Sequence, residues 1–511
     1  MRPVFLPPSL SAAEAGARNA APIHVTEGAL TAVLVVWGCF QPWAFGTMHE
    51  WSQWLALALA IVAFALALVP RMLELRVGQG ARRTAPWRVL VRLPALWLSA
   101  GLLLYVVVQS ANPGWAYRQS SSHWWMERQS HIAWLPSGYT APFTLMNEWR
   151  KLVIWCSPLL AGCAAWLGIT RRRTSVFLLG AILVNGTLVA LLGIAQKFFH
   201  APGIYWRVVF PNTENFGSFV YRNHAAAYLL LILLLATGLS ARAYLRGEAR
   251  MRRSTPSPFL ALLGVLCIAA IFYSASRLGT VLAVGALLLY GAAIIHQLRR
   301  QSGARVWLPV TFAIVVVVAV GWIAMTVMSA DPRARLQTLV SGTDQFSLRG
   351  RIYAFEVTRR MIGDSPVFGV GAGGFRFMSP AYVGDFPEIT HEVFLGERNA
   401  FYVRHWTLNE SHSDFLQFTA EFGLVGGLAI AALLGCAMSA FASRARRAHP
   451  VALSGLVAVT ATLLYATCDF PFQNPAVVAT LVLFLPLALR LADLEAPHAT
   501  EDTSGPSVGN R

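Results

Sequence analysis

Charge is what this sequence has least of. Only 13% of its 511 residues are Asp, Glu, Lys or Arg, against roughly 25% in a soluble globular domain. The chain is 56% hydrophobic, with mean hydropathy +0.53. So little charge cannot cover a water-facing surface of this size, which excludes an ordinary soluble protein. Acids are scarcer than bases: 24 Asp and Glu stand against 41 Lys and Arg, a net charge of +17. That balance would suit nucleic acid. However, the basic residues are scattered between apolar runs and form no patch or binding motif, so nucleic acid is set aside.

Cysteine is scarce as well. The six are Cys39, Cys156, Cys163, Cys267, Cys436 and Cys468. All lie in or beside apolar runs and none has the paired spacing of a zinc site. They read as small, buried, apolar fillers. No close set of His, Asp and Glu has convincing ligand spacing, so neither a metal nor a cofactor is expected. There is no internal repeat, which counts against the repeated halves of many secondary transporters. Residues 1–27 lack a continuous apolar core and a cleavage pattern; they are expected to form a disordered tail, and so is the polar stretch 491–511.

Long apolar runs are abundant. They cover 29–46, 51–69, 90–109, 150–169, 175–196, 224–240, 258–274, 278–296, 306–328, 414–439, 451–467 and 475–490. At about 20 residues per crossing, they predict an all-α integral membrane protein with about twelve transmembrane helices over 28–490. Arginine clusters mark every second connection: Arg71 to Arg88, Arg171 to Arg173, Arg242 to Arg253, Arg299 to Arg305, and Arg444 to Arg447. Of the connections between them, the one between the first two runs and the one at 468–474 carry no Lys or Arg. By the positive-inside rule, both termini are cytoplasmic.

Three connections on the outer side are long. Residues 110–149 hold five tryptophans (Trp115, Trp124, Trp125, Trp134 and Trp149) and are expected to lie on the membrane surface. Residues 197–223 hold Lys197, Arg207 and Arg222. The longest is 329–413, between the ninth and tenth runs, and a loop of that length suggests function. Within it, Ser347 is expected to cap a helix from about Leu348, with Ile352, Phe355 and Ile362 beside Arg351, Arg359 and Arg360. Gly363 and then Pro366 end it. Two uses of this basic amphipathic helix stay open: an interface with anionic lipid or a phosphorylated ligand, and packing against the bundle. Gly369 to Gly374 read GVGAGG. No βαβ unit surrounds them, so a dinucleotide site is rejected. A tight turn is expected, whose amides could touch a phosphate.

Three outer boundaries combine charge with the edge of lipid, where ionisable residues are often functional. They are Phe219 to His224, Ser274 to Gly279, and Glu410 to Asp414. Arg277 and Arg222 are candidate phosphate-gripping cations, because a pyrophosphate needs more than one. His412, with an ordinary pKa near 6.5, can take a proton from a hydroxyl. His391 and His405 compete with it. Asn223, Glu410, Asp414, Arg349 and Arg351 are candidate supporting residues, and Glu410 or Asp414 would orient the imidazole.

These segments resemble the O-antigen ligase and O-antigen polymerase superfamily. The matching stretches are FVYRNHAAAYLLL (219–231), YSASRLGT (273–280), GDSPVFGVGAGGF (363–375) and ESHSDFLQFTAEFGLVGG (410–427), together spanning 219–427. Tyr221 and Leu278 depart from the family pattern. The resemblance implies a bacterial inner-membrane transferase with a periplasmic active site and no metal. Its donor would be an undecaprenyl-pyrophosphate-linked glycan and its acceptor a hydroxyl of lipid A–core, a glycan or a protein. It implies His412 as the base and Arg222 and Arg277 as ligands of the donor pyrophosphate. A transporter or flippase for a lipid-linked substrate is the competing class; the long outer loop and the missing repeat disfavour it.

Overall fold

The computed structural model describes residues 25–69, 90–121, 124–210, 214–249, 251, 254–302, 345–383, 409–445 and 449–495. In chain order the main helices are α1 (Val25–Trp43), α2 (Glu50–Leu68), α3 (Pro94–Ala111), α4 (Glu148–Gly168), α5 (Arg172–Phe198), α6 (Arg222–Ala249), α7 (Ser257–Tyr273), α8 (Arg277–Ser302), α9 (Gln345–Asp364), α10 (Asp414–Ala445), α11 (Pro450–Cys468) and α12 (Pro475–Leu494). Among the described residues, ten of these are long and apolar enough to cross a membrane; α7 is a shorter apolar helix. The chain is an all-α integral membrane protein. The apolar run at 306–328, His391 and His405 lie outside the described residues.

Position in the bundle follows composition. The sequence of α6 is apolar on every side, which suits only an interior helix. Every residue from Ala225 to Ala236 is buried, enclosed by α5, α7, α8, α11 and α12. By contrast, α3 and α10 expose Leu104, Leu424, Val425 and Leu428. Exposed aliphatic side chains carry no penalty against lipid tails, which are equally apolar. The expectation of buried cysteines holds for Cys163 and Cys267 only. Cys468 is exposed, at the last residue of α11 where the helix leaves the packed core.

The charged connections sort to opposite ends. At one end the Glu27 carboxylate accepts hydrogen bonds from the Thr170 and Arg171 amides, at 3.0 and 3.2 Å, and pairs with Arg171 Nη1 at 2.6 Å. At the same end, Glu495 pairs with Arg242 and Arg246, and Arg444 with Asp493. The other end of α6 holds Arg222, Asn223 and His224. Its 25 residues from Arg222 to Arg246, 24 steps of 1.5 Å, span about 36 Å, enough to cross the hydrocarbon core.

A cap covers this second end. The 110–149 connection contains a small sheet that hydropathy did not reveal: β1 (Pro113–Gln119), β2 (Trp124–Arg128) and β3 (Gly138–Thr140), in the order β2-β1-β3. β1 and β2 are antiparallel, with Trp115 opposite Arg128, and β3 is parallel to β1. Tyr117, Trp124 and Tyr139 pack around Phe377, with ring centroids 5.6, 6.1 and 5.0 Å away. Trp125, Trp134 and Trp149 are exposed.

The helix in the long loop is present with two corrections. It begins at Gln345, so Ser347 lies inside it and is not its cap. Its buried face is Tyr353, Ala354, Val357, Thr358 and Met361, whereas Ile352 is exposed. The apolar phase was therefore misjudged by about one residue. That buried face packs against Val370, Phe375, Met378 and Ala420. One of the two uses left open, packing, is therefore realised by this face, while Arg351 lies on the partly exposed side.

Candidate active site

The glycine turn fixes the start of α10. Gly369 has φ 72° and Gly423 φ 61°, values that side-chain-bearing residues rarely adopt. Gly423 breaks α10 near its start. There the Leu424 and Val425 amides turn outward and donate to the carbonyls of Pro366 and Val367, at 2.8 and 3.3 Å. In return, the Val370 and Gly371 amides donate to Ala420 and Glu421 carbonyls at 2.9 and 3.0 Å. Tyr105 and Gln109 of α3 donate to the carbonyls of Phe368, Glu421 and Phe422.

The expected phosphate cradle at 369–374 is thereby corrected. The amide of Gly369 goes to Ser365 and that of Gly374 to Gly371. With Val370 and Gly371 also engaged, this turn is a backbone clamp, because four of its six amides already have protein acceptors.

The clamp delivers His412. Ser411 and Ser413 hold it on both sides: the Ser411 amide donates to Gln417 Oε1 at 3.0 Å, and the Ser411 hydroxyl to the Ser413 carbonyl at 2.6 Å. The Asp414 amide reaches the Asp469 carbonyl at 3.2 Å, which joins this segment to the α11–α12 connection. His412 itself adopts φ 59°. Its ring meets Phe470 edge-on, with centroids 5.2 Å apart. Burial, reinforced by the nearby Arg351 guanidinium, lowers its pKa from 6.5 to about 4. The imidazole is therefore neutral at pH 7. Its Nδ1 is buried and has no hydrogen-bond partner.

Arg351 reaches this site from α9. Its Nη2 lies 3.3 Å from Asp469 Oδ2. Asn223 Nδ2 donates to the same oxygen at 2.6 Å and to the Tyr221 hydroxyl at 2.6 Å. Tyr221 stacks on Phe470 with centroids 5.4 Å apart. Burial pushes the Asp469 carboxyl up from its usual range, while Arg351, the Phe470 amide, Asn223 and Tyr221 oppose that shift. His224 is also buried, with Nε2 3.2 Å from the Phe470 carbonyl. Ser276 shares a hydrogen bond with Tyr465 at 3.1 Å, and the Tyr465 hydroxyl donates to the Asn223 carbonyl at 3.0 Å.

The predicted residues therefore divide. His412, Arg351 and Asn223 come together around Asp469 and Phe470. Arg222, the next residue to Tyr221, pairs with Glu214. Arg277 is exposed at the start of α8, one residue beyond Ser276. Neither carboxylate expected to orient the imidazole bonds to it. Asp414 accepts from the Phe472 amide at 2.8 Å and from Gln473 at 3.2 Å. Glu410 pairs with Arg376 at 2.9 Å and also binds Gln417. Both carboxylates hold loops in place, because their nearest donors come from other segments. Arg349 lies two residues before Arg351, and its side chain is outside the described ones. Asp469 and Phe470 were missed. The available signal was a lone carboxylate in a connection without Lys or Arg, between two apolar runs. Among the described residues, no group of three His, Cys, Asp or Glu is arranged to hold a metal.

Residues 262–431 match the family model described as O-Antigen ligase. The chain carries an O-antigen ligase domain. This match supports the O-antigen ligase and polymerase superfamily and, in general terms, glycan transfer of that type. The matched region of this O-antigen ligase-type protein contains Arg277, Arg351, the glycine turn and His412. Asn223 and Asp469 lie outside it and join the site through the fold; Arg222 lies outside it as well. No curated protein matches the chain.

Proposed function

We propose that this protein transfers a glycan from an undecaprenyl-pyrophosphate carrier to an acceptor hydroxyl at the periplasmic face of the bacterial inner membrane. The observation that carries the reading is the neutral, buried His412, whose Nδ1 lacks a partner and whose ring lies within the field of the Arg351 guanidinium. A buried polar atom is nearly always paired; a general base waiting for a substrate hydroxyl is the exception expected here.

In this reading the acceptor O–H gives its proton to His412 while its oxygen bonds to the anomeric carbon. The bond from that carbon to the phosphate oxygen breaks, and undecaprenyl pyrophosphate leaves with the electron pair. Arg351 stabilises the charge on that group, helped by Arg222 and Arg277 at the adjoining helix starts. The three arginines supply the positive charge, so no metal is needed. Membrane lipid holds donor and acceptor at one interface, which favours their encounter. The arginine-rich end of the bundle is cytoplasmic, together with both termini.

The test uses purified full-length protein in liposomes, with a lipid-linked glycan donor, lipid A–core and EDTA present. Transfer to core identifies a ligase, and longer lipid-linked chains a polymerase. Absence of either product, with the glycan carried across the bilayer unchanged, points instead to a flippase. In the productive assay, Arg351→Gln is expected to lower kcat/KM for the donor about tenfold to hundredfold, the worth of one charged hydrogen bond of about 1.5–3 kcal/mol. Arg351→Lys should recover part of that loss. Equal kcat/KM in wild type and Arg351→Gln removes Arg351 from donor binding.

A further inference from the structure

A second site lies at the end of the bundle opposite His412. The start of α5, the last turns of α6 and the 254–256 connection enclose a cavity of about 410 Å³. That volume falls within the ~300–1,000 Å³ usual for small-molecule sites. Four guanidiniums line it: Arg172, Arg173, Arg242 and Arg246.

Among the described residues, the Glu495 carboxylate pairs with three of these four. Glu495, with 5% of its side chain exposed, stands 2.6 Å from Arg242, 2.9 Å from Arg246 and 3.9 Å from Arg172. Burial opposes its charge, but hydrogen bonds from His449 and Arg242 and the fields of Arg242 and Arg246 hold its pKa at about 2. Glu495 is therefore ionised at neutral pH. The described lining of the cavity is basic, with four arginines and no carboxylate among the residues that form its wall. Its partial neutralisation also fixes Arg242 and Arg246 in place, so their forks are pre-oriented at little entropic cost.

The remaining wall is informative. Val176 and Phe177 line the same cavity, and Phe177 is 62% exposed on the outside of α5. An arginine-lined hollow thus opens beside an apolar ring, at the level where α5 enters the membrane. A phosphodiester with attached acyl chains matches both halves of that arrangement. Arginine binds phosphate oxygens two at a time, and basic hollows between transmembrane helices suit anionic headgroups.

We propose that this cavity binds the phosphate headgroup of an anionic phospholipid, with acyl chain laid against Phe177. The site tethers α5 and α6 to the end of α12 through Glu495, and it does not depend on the transfer reaction.

The test is native mass spectrometry of the full-length protein in neutral detergent. It is titrated separately with phosphatidylglycerol and phosphatidylcholine, and the phosphatidylglycerol adduct is then challenged with inorganic phosphate. Phosphatidylglycerol is expected to bind at least about tenfold more tightly than phosphatidylcholine, because the arginines of the lining act on its charge. Arg173→Gln is the diagnostic variant: Arg173 is exposed and outside the Glu495 ion pairs, so the fold should be retained. It is expected to raise the half-saturating phosphatidylglycerol concentration about fivefold, the effect of one arginine near an anionic lipid. Arg173→Lys should restore most of the binding. Equal affinity for the two lipids, or unchanged binding in Arg173→Gln, overturns the proposal. Displacement by millimolar inorganic phosphate overturns the lipid assignment and makes the ligand a free anion.

Discussion

His412→Asn lowers kcat about 10²- to 10⁴-fold, the usual contribution of a positioned general base. Asparagine is the better replacement than alanine, because position 412 has φ 59° and asparagine tolerates that left-handed region. It also cannot accept a proton near neutral pH. Donor KM should change little, since the cationic groups remain. In wild type, kcat/KM reports the free enzyme, whose His412 titrates at about 4. The neutral imidazole is the active form, so the rate is full well above pH 4 and is lost as pH falls through that value. Arg351 contributes to the low pKa, so Arg351→Gln moves the acid limb upward, toward the ordinary 6.5 of histidine. The measurement is a pH profile of initial rate with saturating acceptor. A folded His412→Asn protein with wild-type turnover removes the base from the mechanism. An acid limb at 6.5 in wild type means that His412 is hydrated in the working enzyme.

The second large effect is on stability. Gly423→Ala is expected to destabilise the protein by about 2–6 kcal/mol. Two causes add. At φ 61° and ψ −168°, the backbone occupies a region that is essentially glycine's own, at about 1–3 kcal/mol for another residue. A Cβ there would also meet the Val367 carbonyl oxygen at 2.2 Å. That atom is backbone and part of the clamp, so relief requires moving the turn, a further ~1–3 kcal/mol typical of overpacking. Gly435→Ala, on the same helix but with nothing near a new Cβ, should be neutral or slightly stabilising. Thermal unfolding in detergent compares the two. Matching midpoints would mean that the break in α10 does not fix the turn. Because the clamp positions the segment beginning at Glu410, Gly423→Ala should also reduce turnover in the fraction that remains folded.

Much of the architecture was legible without coordinates. Hydropathy is a property of local windows, and lipid imposes one rule on every window: about 20 apolar residues must be helical. The runs therefore lie close to the helices, from Val25–Trp43 to Pro475–Leu494. The charge alternation was readable for the same reason, and Arg171, Arg242 and Arg444 do gather at one end. Local reasoning failed where the outcome depended on a distant partner. β1 and β3 carry few apolar residues to report on pairing. The glycine run offered free amides on paper, but four of its six are hydrogen-bonded to protein acceptors in the fold. Glu410 and Asp414 flank His412 in sequence, but their hydrogen bonds run to Arg376 and Gln417 and to the 470–473 turn.

The sequence alone determined that this is a membrane bundle, which residues lie at its two boundaries, and that one histidine and several arginines share one of them. Only the tertiary structure decided which of them meet. Arg351 finds Asp469 across 118 positions, and Asn223 reaches it across 246. Neither pairing has any local signature. Each exists because α6, α9 and the α11–α12 connection converge at one end of the bundle. That convergence buries His412 beside Arg351 and keeps its imidazole neutral with Nδ1 unpartnered.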